Sequence, residues 1–157
     1  MERTHRENRS LIVALVDLDH FKRINDSYGH LTGDEALRWF AAAVGAAVRS
    51  YDHAGRYGGE EFLLVLTEVP NAAAEARLAA LHACISNLQV QTRECSFKIN
   101  CSVGATVVDA AAGFGSLEAV LAVADQALYD AKAAGRNCVV LRRAGPDSSQ
   151  PSDGSDW

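Results

Sequence analysis

Three carboxylates stand where two apolar runs end. In RYGGEEFLLVL, residues 56–66, Glu60 and Glu61 follow the pair Gly58-Gly59 and abut a run of strand-forming residues. Asp17 closes a second run, Leu11–Val16, and Asp19 follows two residues on, so both can project to the same side. A carboxylate beside a core is costly to desolvate, and like charges set together repel, so such groups need a positive counterpart. One reading is a hairpin turn alone, with the glycines supplying positive φ and the glutamates in water. The other is a shared site. If the first strand pairs with the hairpin, Asp17, Glu60 and Glu61 converge at one sheet edge with about −3 of charge. Two Mg²⁺ ions would bring about +4, and the oxygens of a triphosphate would complete their shells. Sites of this kind perform in-line phosphoryl displacement, one ion serving the attacking oxygen and the other the leaving group. The twin glycines would let phosphates approach the hairpin backbone closely.

Such a substrate needs cations, and Lys22, Lys132 and Arg136 are candidates. Lys132 and Arg136 lie four apart at a helix end and should face the same way; compensation of the helix dipole is the plainer account of them. Asn25 and Asp34 carry side chains that can read guanine, an amide for O6 or N7 and a carboxylate for N1-H and N2-H. A turn residue and a first-turn acid are their structural alternatives. His30, in GHLTGD, serves equally as a loop hydrogen bonder. RSYD, Arg49–Asp52, places an arginine able to bond guanine bidentately three residues from an acid, or else forms an exposed i,i+3 ion pair.

These residues need elements to position them. Leu11–Val16 reads as a buried strand, and DLDHFKRINDSYGH as a short polar helix or turn. Thr32-x-x-Glu35 is a capping box opening a helix whose Leu37, Phe40, Ala41, Val44 and Val48 make one buried face. AGRYGGEEFLLVL reads as a hairpin turning at Gly58-Gly59. Pro70-Asn71 starts a helix with a Leu78, Leu81, Ile85, Leu88 stripe. Phe97, Ile99, Cys101 and Val103 alternate with polar residues, which is strand periodicity. Ser116 caps a last helix bearing Leu117, Val120, Leu121, Ala124 and Leu128 and ending at Gly135; NCVVLRR returns as a strand. The order β-α-α-β-β-α-β-α-β predicts an α+β fold, with helices on one face of an antiparallel-containing central sheet and functional groups on the other. The layout resembles the palm of nucleotidyl cyclases and polymerases, a resemblance of topology alone.

Composition narrows the class. The chain has 157 residues, 48% hydrophobic and 22% charged, enough for one domain with a real core. A net charge of −5 and a pI near 5.5 argue against a nucleic-acid surface, which would need a basic stripe. The longest apolar runs, LIVALV and WFAAAVGAAV, are too short to span a bilayer, and MERTHRENRS leads to no signal cleavage site. Cys84, Cys95, Cys101 and Cys138 lack metal-site spacing and read as buried thiols of a cytoplasmic protein. From Gly145 the Pro/Ser/Asp/Gly-rich tail reads as disordered.

VDLDHFKRINDSYGHLTGDEAL, then RYGGEEF, then LYDAKAAGRN resemble, in order and spacing, the signature of GGDEF-domain diguanylate cyclases, with GGEEF a variant of the name-giving motif. Several separated motifs must coincide, which makes the resemblance specific over about residues 11–143. It implies condensation of two GTP molecules into cyclic di-GMP with release of pyrophosphate, each subunit of a homodimer contributing one GTP. It implies two Mg²⁺ or Mn²⁺ ions held by Asp17, the Leu18 carbonyl and Glu60, with Glu61 helping, and Glu60 as base for the 3′-hydroxyl. Phe21 and Lys22 would meet the phosphates, Lys22 stabilising the transition state, with Lys132 and Arg136 behind them. Gly58 and Gly59, with Asn25, His30 and Asp34, belong to the substrate site. Arg49 and Asp52 stand where the family's inhibitory site binds the cyclic product. The alternative within the family is a catalytically silent module that holds GTP or cyclic di-GMP as a signal. The resemblance further implies a leader over 1–10, without the helix and D-x-L-T-x-L-x-N-R stretch usual there, the catalytic domain over 11–143, a tail over 144–157, and an upstream sensor in the full-length protein.

Overall fold

The structure, a computed structural model, describes residues 9–109 and 115–143. The tail and most of the leader lie outside the described residues. β1 (Arg9–Leu18) begins two residues earlier than the sequence suggests. It is followed by α1 (Phe21–Tyr28), α2 (His30–Ala47), β2 (His53–Arg56), β3 (Glu61–Pro70), a short 3₁₀ turn, and α3 (Ala74–Ile85). Then come β4 (Leu88–Gln91), β5 (Ser96–Ile99), β6 (Cys101–Asp109), α4 (Leu117–Ala133) and β7 (Val139–Arg143).

The main sheet has the order β2-β3-β1-β6-β7, antiparallel except for the parallel pair β6–β7 that α4 connects. β1 is its centre, hydrogen-bonded on both sides. Alternate residues of β1 enter different cores. Ile12, Ala14, Val16 and Leu18 join Phe40, Leu78 and Leu81 beneath α1–α3. Val13 packs with Val108 and Val120, and Leu15 with Ala124 and Leu128, under α4. Helices therefore cover both faces, and the expectation of a free functional face is corrected. The unbroken apolar run of β1 has this meaning, because a strand with one wet face would alternate. Functional groups are left the ends of the strands.

Other expectations shift by a few residues. α2 starts at His30, not behind a Thr32 cap, because Gly29 takes φ 89° and turns the chain directly from α1 into α2. Its buried face is Gly33, Ala36, Leu37, Phe40 and Val44, while Ala41 is exposed. α3 stops at Ile85 with Asn87 at φ 55°, so Leu88 opens β4 instead of extending the stripe. The alternation from Phe97 to Val103 divides at Asn100: β5 pairs with β4 in a second, two-stranded sheet, and β6 enters the main one. The cap of α4 is as the sequence indicates, with Ser116 Oγ accepting from Ala119 N at 3.1 Å, although Leu117 is exposed. Cys101 is buried, whereas Cys84 is exposed on α3. Gly104 is where β6 and α4 meet most closely: a Cβ there would lie 2.0 Å from Leu128 N.

Candidate functional site

Asp17 is the penultimate residue of the central strand, opposite Glu61 in β3 and Ser102 in β6. Pairing on both sides fixes where its carboxylate emerges. Leu18 N donates to the Glu60 carbonyl at 3.2 Å, which joins the strand end to the β2–β3 hairpin. The hairpin turns at Gly58-Gly59 as its sequence suggests, but neither glycine has positive φ; among the described glycines only Gly29 and Gly135 do. The turn is closed by Arg56, whose guanidinium donates to the Gly58 carbonyl at 3.2 Å and to the Gly59 carbonyl at 2.6 and 3.0 Å. A Cβ on Gly59 would meet nothing within 4 Å, so the hairpin backbone is open to close approach.

Charge at this strand end is unbalanced. Burial pushes the Glu61 carboxyl up, the charge of Asp17 adds to this, and Asp125 and Glu60 contribute, while Lys132 opposes them. Lys132 Nζ donates to Asp17 Oδ2 at 2.7 Å, reaching across from α4. The dipole account of Lys132 gives way to an ion pair with a carboxylate of the cluster. Arg136 reaches the same cleft by another route. α4 ends at Ala133, and Gly135, Arg136 and Asn137 all have positive φ (112°, 65° and 47°), so the expected helical i,i+4 alignment does not hold. Asn137 N donates to Asp19 Oδ2 at 2.9 Å and pins that turn. Asp19 Oδ1 accepts from Ser102 Oγ at 2.6 Å. Asp19 is therefore a buried anchor, lining the same cleft as Asp17 but with each oxygen already partnered.

A cleft of about 420 Å³ opens at this end of the sheet. Asp17, Leu18, Phe21, Lys22 and Glu60 line it from β1, α1 and the hairpin, and Lys132 and Arg136 face them. Glu61 stands beside Asp17 in register without lining the cleft. His20, Arg23 and Asp26 also line it and were missed in the sequence. The signal for His20 was thin: a non-glycine residue at φ 57° heading α1 has no sequence mark of its own.

Asn25, His30 and Asp34 sit apart, at the seam of α1 and α2. Asn25 packs against Gly33, where an added Cβ would fall 1.8 Å from Asn25 Oδ1. That oxygen is buried without a hydrogen-bond partner. His30 and Asp34 are exposed at the start of α2.

Arg49 and Asp52 lie in the turn between α2 and β2, and they do not form the exposed ion pair. The Asp52 side chain is 1% exposed and its oxygens are occupied. Oδ1 accepts from Thr67 N at 3.0 Å; Oδ2 accepts from Arg49 N at 2.8 Å and from Arg77 Nη2 at 3.2 Å. Burial alone would raise this carboxyl; the two backbone N–H groups and the Arg77 guanidinium outweigh it and hold it below the usual range. Asp52 is thus not free to accept from a base. The Arg49 guanidinium is exposed, donating to the Tyr51 hydroxyl at 2.9 Å.

The mixed sheet thus sets carboxylates and cations together around one cleft at a strand end. The family model described as the diguanylate cyclase GGDEF domain matches residues 1–138, and the chain belongs to that family. It is 41% identical over 135 residues to the diguanylate cyclase DgcP of Pseudomonas aeruginosa, covering 86% of this chain and 20% of that protein. It is 41% identical over 133 residues to the response regulator PleD of Caulobacter vibrioides, covering 83% of this chain and 29% of that one. The chain thus spans less than a third of those relatives. Among solved structures it resembles the diguanylate cyclase SiaD of Pseudomonas aeruginosa in complex with its activator SiaC, with TM-score 0.78 and 34% identity over 89% of this chain and 53% of that one. It also resembles the GGDEF domain of DgcB from Caulobacter crescentus in complex with c-di-GMP, with TM-score 0.74 and 31% identity over 85% of this chain and 78% of that one. No described helix is long and apolar enough to cross a membrane.

Proposed function

We propose that the domain is a diguanylate cyclase that condenses two GTP molecules into cyclic di-GMP and two pyrophosphates. The observation that carries this is the strand-end arrangement: Asp17 opposite Glu61, Glu60 joined to Leu18, and Lys22, Lys132 and Arg136 around the same cleft. In each half-reaction a 3′-hydroxyl oxygen bonds to the α-phosphorus of the other GTP, the α–β anhydride bond breaks, and pyrophosphate leaves with its electron pair. Glu60 would take the hydroxyl proton, and Lys22 would meet charge on the phosphoryl oxygens.

Divalent cations fit the donors present. Among the described residues no three acidic, imidazole or thiolate side chains form a ready metal cage. Mg²⁺ does not demand one, since it keeps waters and binds through one or two carboxylates plus substrate phosphates. Burial first, and then the charges of Asp17, Asp125 and Glu60 against that of Lys132, raise the Glu61 carboxyl, and a cation bound beside it would oppose that shift. Asp17, the Leu18 carbonyl, Glu60 and Glu61 would hold two such ions, Mg²⁺ or Mn²⁺. Bound there, they would polarise the α-phosphoryl group and acidify the attacking hydroxyl.

Asn25 and Asp34, with His30 near them, would receive guanine, and the unpartnered Asn25 Oδ1 supports this. The product's two-fold symmetry calls for two half-sites, so a homodimer is the catalytic unit, its encounter set by a sensor elsewhere in the full-length protein. For product inhibition, the occupied Asp52 leaves Arg49 to bond guanine, with Asp52 as the residue that positions the Arg49 backbone. The test is incubation with GTP and Mg²⁺, with products identified by mass. Cyclic di-GMP and pyrophosphate, appearing at a specific activity that rises with protein concentration, support the reading. Unchanged GTP at concentrations where light scattering shows dimer would overturn it, and would leave the silent binding module.

A further inference from the structure

A second cleft, of about 380 Å³, opens beside the first and shares Asp19, His20, Arg23 and Arg136 with it. We infer that this second cleft binds an inorganic polyphosphate anion of the pyrophosphate class, receiving the leaving group once it parts from the first cleft. The source of that anion rests on the cyclase reading. The affinity of the cleft does not.

Its far wall comes from the β5 end and the turn after α4. Lys98 and Asn100 line it together with Arg136 and Asn137. Among the described residues the side chains of Arg23, Lys98 and Arg136 form no hydrogen bond or ion pair within the protein. Three cations thus face one space. The carboxylate in the wall, Asp19, is 7% exposed with both oxygens consumed by Ser102 Oγ and Asn137 N. The two amides are turned to donate. Asn100 Oδ1 accepts from Asn87 N at 2.9 Å and lies 3.2 Å from Ser86 Oγ, which also reaches Asn137 Oδ1. Both oxygens thus have an inward partner within reach, while both NH₂ groups have no partner among the described residues.

This cation-rich lining favours an anion. Of the groups that could accept from a purine's N–H groups, the Asp19 and asparagine oxygens already have partners, which leaves the Ser27 and Tyr28 hydroxyls and the His20 ring. The aromatic wall argues the same way: Tyr28 and Phe97 stack on each other, centroids 4.7 Å apart and 11° from parallel, so each ring has already spent a face. An anion rich in oxygens and lacking donors matches the wall. The pinned left-handed turn holds Arg136 between the two clefts, where one guanidinium can follow a departing phosphate from the first to the second.

Calorimetric titration with pyrophosphate alone tests the site, because Lys98 lines only the second cleft and Lys132 only the first. Lys98→Gln should weaken pyrophosphate about tenfold, the loss of one charge-assisted hydrogen bond, and leave KM for GTP unchanged. Lys132→Gln should leave pyrophosphate affinity within about twofold of wild type. Weakening by Lys132→Gln and not by Lys98→Gln would place the anion in the first cleft and overturn the inference, as would no binding by wild type. Tighter binding of GDP than pyrophosphate that depends on Lys98 and is lost in Tyr28→Ala would replace the anion by a nucleotide and also overturn it. A wild type that binds pyrophosphate through Lys98 yet never turns over GTP would keep the site and sink the cyclase reading.

Discussion

Replacing Gly104 by alanine should loosen the whole cation wall of the cleft, although Gly104 touches no proposed ligand. A Cβ on Gly104 would fall 2.0 Å from Leu128 N, 2.4 Å from Leu128 Cα and 2.5 Å from the Ala124 carbonyl oxygen. All three are backbone atoms, so no rotamer change relieves the clash. α4 must retreat from β6 by about 1 to 1.5 Å to restore ordinary contact, and a gap of 0.5–1 Å already forfeits a quarter to a half of each dispersion well. Ala124, Ala127, Leu128 and Ala131 are the buried residues that would lose packing. Overpacking costs about 1–3 kcal/mol, and the helix-wide loss of contact takes the estimate to about 4 kcal/mol. For a domain of this size that corresponds to a fall in Tm of roughly 8–16 °C. Urea and thermal denaturation would measure it, with Gly45→Ala as control: Gly45 is exposed in α2 with nothing within 4 Å of its Cβ position, so that change should stabilise by about 0.5–1 kcal/mol. A Gly104→Ala protein within about 1 kcal/mol of wild type would refute the close-approach argument.

Glu61 titrates above its usual 4.5, so between 4.5 and that raised value the folded state binds more protons than the unfolded, and stability falls as pH rises through the window. Glu61→Gln should therefore melt higher than wild type at neutral pH without divalent cation, with the difference vanishing below pH 4.5; an unchanged Tm at neutral pH would count against the crowded carboxylates. Asp52 is shifted the other way. Its contribution is present above 3.8 and lost as pH falls below that value toward its lowered pKa, and Asp52→Ala, stranding the buried Arg77, should cost about 3–5 kcal/mol at pH 7 by urea denaturation. Asp34→Ala should lose preference for GTP over ATP in competition assays, since adenine lacks the donors Asp34 would accept and an unpaired carboxylate costs about 1–3 kcal/mol. Arg49→Ala should lose calorimetric binding of cyclic di-GMP while keeping basal turnover.

Much of the site was legible because short motifs fix backbone position. Ten residues of β1 and the GGEEF hairpin sufficed to bring Asp17, Glu60 and Glu61 to one strand end, since antiparallel pairing leaves few registers that bury both apolar runs. The two-sided covering of the sheet was also written in LIVALV, whose lack of alternation was the signal that no face stays open. What stayed hidden depended on tertiary neighbours. Asp52 reads as a surface acid until Thr67 and Arg77, 15 and 25 residues away, close over it. Asp19 reads as a partner of Asp17 until Ser102 and Asn137 take its oxygens. The helix boundaries moved where Gly29 and Asn87 adopt left-handed φ, a choice of the folded chain and not of periodicity.

Glu60 carries the proposed chemistry as both metal ligand and proton acceptor. Pyrophosphate release from GTP should be followed in wild type and in Glu60→Gln across a Mg²⁺ titration, with folding checked by denaturation. A Mg²⁺-dependent rate is expected in wild type and a loss of about 10²–10⁴-fold in the variant, with unfolding unchanged, because the substitution removes a metal ligand and the proton acceptor together. Turnover by Glu60→Gln within a few-fold of wild type, with the same Mg²⁺ dependence, would contradict it.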